Sequence, residues 1–289
     1  MAMDWEYPIL EYLILLDTHT EKGTVLILPE TLQTPHLRHL AIICSIPIRS
    51  PLLGTAAGLV NLCLSIYHPS TYFEPTLLLQ WLSLMPQLEI LAIGFRFAVP
   101  NRDVERQLMR RLSMTHVTFP NLRVFGFQAV SAYSEAVLSR ITAPRLKNFY
   151  IDYFKQPTFS VPQLLQFMGR TENLRFDRAK FKFDYEEVHV EVYPPETEMS
   201  MTVFYIIVDC WHLDWQVSSV AQIFSALSQI LSGVDHLILA HNSHFRSSKG
   251  HNEVDRTEWR KLLRSFTNLK TLWIGYGLVK ELSLSSTGR

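Results

Sequence analysis

The sequence predicts an α/β fold, an irregular leucine-rich-repeat solenoid with a curved parallel sheet and helices on its outer side. Three observations predict it: an apolar hexad that recurs along the chain, helical periodicity between the hexads, and enough apolar residues to bury a core. Apolar residues make up 47% of the 289 residues and charged residues 19%, a composition that excludes a disordered chain. We expect a single domain over 1–289.

The recurring hexad has apolar residues at its first, fourth and sixth positions. Side chains alternate between the two faces of a strand, so positions 4 and 6 share one face and positions 3 and 5 share the other. One strand alone cannot bury such an apolar row, whereas parallel strands stacked side by side can. Successive copies begin 22 to 35 residues apart, about 29 on average, as in leucine-rich repeats. The copies begin at Leu10, Leu37, Leu59, Leu88, Leu122, Leu146, Phe176 (a weaker copy), Val203, Val234 and Leu269.

The segments between the hexads carry apolar residues at spacings of three and four, which predicts helices. An apolar chain produces one or two such hexads by chance, but not nine fair copies separated by helix-like segments. The asparagine that typical repeats carry at position 9 occurs only as Asn242, which predicts long and irregular turns. Predicted helices contain Leu77 to Leu82, Val104 to Leu112, Leu164 to Met168, Val217 to Leu231 and Trp259 to Phe266.

A β-hairpin is expected to interrupt the array at 176–193. Its first run places Phe181 and Phe183 on one face and basic residues on the other, and its second run alternates valines with glutamates. This pattern predicts a turn at 184–186, with lysines opposite glutamates across the pair of strands. The basic row fits solvated cross-strand pairs better than it fits a phosphate site.

Charge and cysteine content exclude several classes of function. Lysine plus arginine and aspartate plus glutamate number 27 each, without the basic excess of a nucleic-acid or anionic-membrane binder. The three cysteines lie far apart, which predicts reduced thiols and an intracellular location, cytoplasmic or nuclear. Asp4 and Glu6 argue against a secretory signal, and no apolar stretch approaches the length of a membrane span.

No motif in the sequence predicts an enzyme, a cofactor or a metal centre. Glycine loops for phosphate, a nucleophile elbow and metal-binding patterns such as CxxC and HExxH are absent. Cys210 and His212 are a possible nucleophilic pair, but on a strand their side chains would lie roughly 7 Å apart, which favours a structural cysteine. His241, His244 and His251 share a loop without a nearby cysteine and form only a weak metal candidate.

What remains is a surface that binds another protein. Positions 3 and 5 of the hexads would line a concave face without charged residues outside the weak copy at Phe176, which suits recognition through aromatic anchors. Coverage of this face by loops or by neighbouring chain is an open alternative. The candidate binding residues are Tyr12, His39, Asn61, Asn148, Tyr150, Tyr205, His236 and Trp273.

Long segments that cover nearly the whole chain carry a family resemblance. Among them are LPETLQTPHLRHLAI at 28–42, FSVPQLLQFMGRTENLRF at 159–176 and VDCWHLDWQVSSVAQIF at 208–224. They resemble the leucine-rich-repeat region of the expanded F-box-like proteins of basidiomycete fungi. The resemblance implies a substrate-recognition subunit of a cullin-type ubiquitin ligase, in which an F-box binds the adaptor and the repeats select the target.

The sequence departs from that family at its start. The first predicted strand begins at Leu10, which leaves no room for an F-box before it. We therefore expect only the recognition half, with a protein target that the sequence does not identify and adaptor binding only if an F-box is supplied elsewhere. The alternatives are a truncated non-catalytic remnant or scaffold and, less favoured, an enzyme that uses Cys210 and His212.

Overall fold

The structure is a computed structural model in which the chain forms two compact units, Met1–Leu146 and Lys147–Arg289. The single domain expected over 1–289 stays a prediction. The predicted helix at Val104 to Leu112 lies outside the described residues, as do His244 and His251. The structure describes residues 9–16, 26–27, 34–44, 48–49, 57–67, 73–95, 115–154, 156–171, 175–195, 203–241, 256–276 and 278–279.

The main strands of the first unit are parallel, and their order across the sheet follows the order of the hexads in the sequence. Equivalent hexad positions are in register: Leu40 pairs with Leu62, Leu62 with Leu91, and Leu91 with Phe125. All four are at most 2% exposed. The prediction that successive hexads share one parallel sheet is therefore confirmed in this unit.

Two short parallel pairs accompany the main sheet of the first unit, β2 with β4 and β7 with β9. The strands are β1 (Tyr12–Leu16), β2 (Leu26–Ile27), β3 (His39–Cys44), β4 (Ile48–Arg49), β5 (Asn61–Ile66), β6 (Ile90–Phe95), β7 (Val117–Thr118), β8 (Val124–Ala129) and β9 (Ile141–Thr142).

Helices α1 (Pro75–Ser83) and α2 (Ser131–Leu138) cover the face that carries hexad positions 4 and 6. Proline at the first position of α1 favours a helix start, because its fixed φ suits the helix and its missing N–H has no intrahelical partner there. On the covered face, the ring of Phe95 meets that of Tyr133 edge to face, with centroids 5.2 Å apart. The Tyr133 hydroxyl donates to the Phe73 carbonyl at 2.8 Å, which fixes α2 against the segment before α1.

The described residues of the second unit form six strands, and the order of these strands is not the order of the chain. The strands are β10 (Asn148–Tyr153), β11 (Arg178–Phe183), β12 (Glu187–Tyr193), β13 (Val203–Asp209), β14 (His236–His241) and β15 (Thr271–Ile274). Across the sheet they follow the order β10-β13-β12-β11-β14-β15, and β12 is antiparallel to both neighbours. The hairpin predicted at 176–193 is formed by β11 and β12, with Lys180 opposite Glu191.

The expectation that successive hexads are neighbours holds in this unit for β14 and β15, which pair in parallel, but it is wrong around the hairpin. Strand β13 pairs with β10, and β11 pairs with β14, both in parallel. The physical reason is that β11, β12 and β13 form an antiparallel meander. Its two outer strands run in the same direction, so either can join the parallel strands on its side without reversing them.

Three helices cover one face of the second unit: α3 (Pro162–Gly169), α4 (Leu213–Ala226) and α5 (Arg256–Arg264). Ring contacts join each helix to a strand: Phe149 to Phe167, Phe181 to Phe224 and Phe183 to Trp259, with centroids 5.1, 4.9 and 5.5 Å apart. Helix α4 ends before Leu231, where the prediction continued it, and Ile230–Gly233 forms a 3₁₀ turn instead.

Gly233, the last residue of this 3₁₀ turn, has a steric reason to be glycine. A Cβ atom there would lie 2.8 Å from the carbonyl oxygen of Phe176, closer than real Cβ contacts allow.

The described residues thus form an α/β structure with mostly parallel strands, as predicted. None of the helices in these ranges is long and apolar enough to cross a membrane.

Candidate functional site

The candidate site is the strand face opposite the helices, which we call the open face of each unit. It carries hexad positions 3 and 5, and all eight residues predicted from the sequence lie on it. None of the eight is buried, and the exposed fractions of Tyr12, Tyr150 and Trp273 are 62%, 38% and 55%. The structure brings Tyr12, His39 and Asn61 together in the first unit and the other five into the second.

Three predicted residues form a row across β1, β3 and β5. The ring of Tyr12 stacks on the imidazole of His39, with centroids 4.1 Å apart and planes 1° from parallel. The Asn61 side-chain amide donates to Nδ1 of His39 at 2.7 Å, so the hydrogen of the neutral imidazole lies on Nε2. The row thus presents one flat stacked pair held in place by a neighbouring amide.

The next row of the first unit consists of small side chains. Ala41, Cys63, Ala92 and Gly126 are paired in register across four strands. Burial raises the pKa of the Cys63 thiol, so the thiol stays protonated at neutral pH and is a poor nucleophile. No strand residue on this open face is charged. The first unit therefore offers an uncharged trough beside the Tyr12 and His39 pair.

The open face of the second unit is charged in its centre. On β11 and β12, Lys180 Nζ lies 3.5 Å from Glu191 Oε2, and His189 Nε2 lies 2.7 Å from Glu187 Oε1. Lys182 Nζ lies 3.4 Å from Asp184 Oδ2. Sequence reasoning assigned these charges to an interruption of the array. Because the meander lies between β10 and β14, they occupy the middle of the face instead.

Tyr205 is the polar centre of this face. Its hydroxyl contacts Nδ1 of His189, and its ring meets that of Tyr150 edge to face at 6.1 Å. Burial, followed by the carboxylates of Glu191, Glu187 and Asp152, raises the pKa of Tyr205 to about 12. At neutral pH this phenol is therefore a hydrogen-bond donor or acceptor and not a nucleophile.

Tyr193 behaves in the same way. Burial raises the pKa of its phenol, and so does its hydrogen bond to Glu191.

The register of the second unit places aromatic rings at both ends of one row of open-face residues and an ion pair in its middle. This row runs Tyr150, Tyr205, Glu191, Lys180, Ile238 and Trp273.

His236 lies at the amino end of β14 in a separate charged group. Its Nδ1 is 2.5 Å from Asp235 Oδ1, and Lys270 Nζ donates to Asp235 Oδ2 at 2.8 Å. The hydrogen bond from Lys270, followed by that from His236, lowers the pKa of Asp235. The carboxylate is therefore ionised at neutral pH and shared between its two partners.

The structure gives no catalytic geometry to the Cys210 and His212 pair. The Cys210 side chain is 1% exposed, and its Sγ lies 3.9 Å from the backbone carbonyl oxygen of His212. The His212 imidazole packs edge to face on Trp215, with centroids 5.1 Å apart. In the described part of the chain, no three His, Cys, Asp or Glu side chains converge as they would around a metal ion.

Comparison with known proteins gives no relative of this chain: no family model, no curated protein and no solved structure matches it.

Proposed function

We propose that this chain is a protein-recognition module of the leucine-rich-repeat type, that it binds another protein through its open faces, and that it is not an enzyme. One observation carries the proposal. Helices cover one face of the strands in each unit, while the other face has no buried residue among hexad positions 3 and 5 of the described strands. That face presents exposed aromatic rings, the side chains that contribute most to protein interfaces.

The repeat assignment rests on the first unit. Five strands in one register, each preceded by an apolar residue at position 1 of its hexad, are what stacked repeats require. The second unit keeps the same division between a helix-covered and an open face, although the meander interrupts its strand order. We infer an irregular solenoid, in which the hairpin is an insertion between repeats.

The charges of the open face favour a protein partner over a phosphate-rich one. Arg178 lies 3.6 Å from Asp177, Lys180 pairs with Glu191, and Lys182 pairs with Asp184. Each cation of β11 is thus neutralised within its own unit, whereas nucleic-acid binding depends on cations that are free to replace counterions.

The resemblance to fungal F-box-like proteins adds a biological role to this proposal. The chain would select the target of a cullin-type ubiquitin ligase inside the cell, and it would reach the adaptor only if an F-box is supplied elsewhere. The target protein is the expected partner.

Affinity capture followed by mass spectrometry tests the proposal. The immobilised chain should retain a defined protein from an extract of a basidiomycete fungus. The double variant Tyr150→Ala and Trp273→Ala should lose it, because both rings are exposed on the open face. Leu77→Ala is the matched control, since Leu77 is 39% exposed on helix α1 and not on the open face. Recovery of chaperones alone would contradict the proposal. Equal capture by the parent chain, the double variant and Leu77→Ala would also contradict it.

A further inference from the structure

A second exposed aromatic group lies outside the hexad positions, at the edge of the second unit where β13 ends and α4 begins. It consists of Tyr185, Trp211 and Trp215, which we call the edge cluster. Their exposed fractions are 54%, 55% and 44%. Soluble proteins rarely gather large apolar rings at the surface unless the rings contact a ligand or a partner.

The edge cluster is held rigidly by buried hydrogen bonds. The Gln216 side chain has no exposed surface, and its Nε2 donates to the carbonyl oxygens of Asp184 at 2.7 Å and Cys210 at 2.6 Å. The backbone N–H of Cys210 donates to the Glu186 carbonyl at 2.7 Å. These bonds join the hairpin turn, the end of β13 and the first turn of α4. A preorganised surface of this kind loses little conformational freedom when it binds.

Two rings of the cluster contact each other, and the third packs on a neighbouring histidine. Tyr185 and Trp211 have ring centroids 5.8 Å apart and planes tilted by 55°. Trp215 packs on His212 at 5.1 Å, nearly perpendicular to it. Two of the rings come from separate segments, the hairpin turn and the end of β13, and the third from helix α4.

The two segments that carry the cluster are acidic. Residues 184–186 and 209–215 contain four carboxylates and neither lysine nor arginine. Asp184 pairs with Lys182 at 3.4 Å. Aromatic faces beside carboxylates attract cations, and a guanidinium group suits them best, because it stacks on a ring while its N–H groups bind a carboxylate. The four carboxylates are Asp184, Glu186, Asp209 and Asp214.

A cleft of about 530 Å³ adjoins the cluster at Trp215 and is lined by uncharged side chains. Its volume lies within the range of ordinary ligand pockets. In the cleft, Gln222 Oε1 accepts from the Phe159 N–H at 2.9 Å, and Gln222 Nε2 donates to the Ser218 hydroxyl at 3.3 Å. The Ser218 hydroxyl hydrogen can then be donated to the carbonyl of a peptide. The lining residues are Gln156, Pro157, Cys210, Trp215, Ser218, Ser219 and Gln222.

We propose that the edge cluster and its cleft bind an arginine-containing peptide segment of a partner protein. The guanidinium group stacks on Tyr185 and Trp211 and pairs with the surrounding carboxylates. The peptide backbone continues past Trp215 into the cleft. The site uses none of the aromatic rings of the open face, so it does not depend on the function proposed above.

Fluorescence polarisation with short labelled peptides tests the proposal on the full chain. A peptide of alternating arginine and serine should bind, its lysine counterpart more weakly, and its glutamate counterpart not at all. Trp211→Ala should weaken binding of the arginine peptide by at least about tenfold, the loss expected for a hot-spot ring, and Glu186→Gln should weaken it to a lesser extent. Tyr276→Ala is the matched control, because its ring is 96% exposed and belongs neither to the edge cluster nor to the open face.

Trp211→Phe separates a binding loss from a folding loss, since it keeps an aromatic face and should recover part of the affinity. Equal affinity for the arginine and glutamate peptides would overturn the proposal, and so would unchanged binding by Trp211→Ala or an equal loss in Tyr276→Ala. Binding of a neutral oligosaccharide in preference to the peptide would assign the site to a sugar. Self-association that Trp211→Ala abolishes in light scattering would assign it to a second copy of the chain. Either result would also overturn the proposal.

Discussion

Phe125 and Gly126 are adjacent on β8, and their substitution by alanine should change stability in opposite directions. The Phe125 ring has no exposed surface and packs at 5.9 Å from the ring of Phe127 on the helix-covered face. Its removal leaves a cavity and should cost about 3–5 kcal/mol. A Cβ on Gly126 would meet the Cβ of Ala92 at 3.6 Å, which is ordinary van der Waals contact. Gly126→Ala should therefore stabilise by about 0.4–1 kcal/mol, because alanine restricts the unfolded chain.

Urea unfolding followed by circular dichroism measures both changes as shifts of the midpoint at constant slope. Hydrogen exchange should locate the loss caused by Phe125→Ala in the first unit. A loss above about 1 kcal/mol for Gly126→Ala, or below that value for Phe125→Ala, would refute the assignment of the two strand faces, since core and surface substitutions differ by more than this.

Three further outcomes follow from the charged face and the thiols. Glu191→Gln should lower the pKa of Tyr205 from about 12, as measured by ultraviolet titration. In the parent chain, the free energy of unfolding should fall as the pH rises from about 10 to about 12, because the unfolded chain loses this phenolic proton first. The buried Cys210 should resist iodoacetamide in the native chain and react in urea. Cys63 should react in the native chain at a rate that rises with pH. Fast alkylation of Cys210 in the native chain would favour the enzyme hypothesis. Lys180→Met should change the free energy of unfolding, measured by urea unfolding, by less than about 1 kcal/mol, because the ion pair of Lys180 with Glu191 is partly exposed. A larger loss would show that this ion pair stabilises the meander.

The sheet of the first unit could be predicted from the sequence because one periodicity fixes it. Alternating apolar residues at positions 4 and 6 define the buried face of each strand, and a strand followed by a helical segment returns to a parallel neighbour. The register of Leu40, Leu62, Leu91 and Phe125 follows from these two facts.

Helix α2 was not predicted because it lacks a polar face. Seven of its eight residues are buried, so no apolar stripe alternates with a solvated one, and this alternation is the feature that marks most helices in a sequence. The early end of α4 escaped prediction for a related reason. Leu227 and Leu231 are both fully buried, so the apolar spacing continues although the backbone changes to a 3₁₀ turn.

The strand order of the second unit could not be predicted, because pairing is a non-local property. The alternation in 178–193 determines a hairpin and its facing pairs, but it does not determine which strands flank the hairpin. Parallel neighbours on either side accept β11 or β13 equally well by direction alone. Contacts beneath the sheet distinguish them, such as Phe149 with Phe204 at 5.6 Å and Phe181 with Phe266 at 5.9 Å.

The candidate residues on the open face were predictable, whereas their chemical surroundings were not. Alternation alone places Tyr150, Tyr205 and Trp273 on that face. The carboxylate that hydrogen-bonds Tyr193 and raises the pKa of Tyr205 belongs to Glu191, which enters the face only through the meander. The edge cluster did have a signal in the sequence, since two tryptophans and an aspartate follow closely on a buried strand.

The meander makes the charge of the open face differ between the two units. Without β11 and β12, the open face of the second unit would carry aromatic and uncharged side chains and the carboxylates of Asp152 and Asp209, but no lysine or arginine on its strands. The inserted strands add three cations and two glutamates, most of them paired with each other or with residues beside them. Paired charges contribute little net affinity, but a partner that fails to match them leaves a buried charge uncompensated. If the chain binds a protein as proposed, the first unit would supply apolar contact area, and the second unit would discriminate between partners.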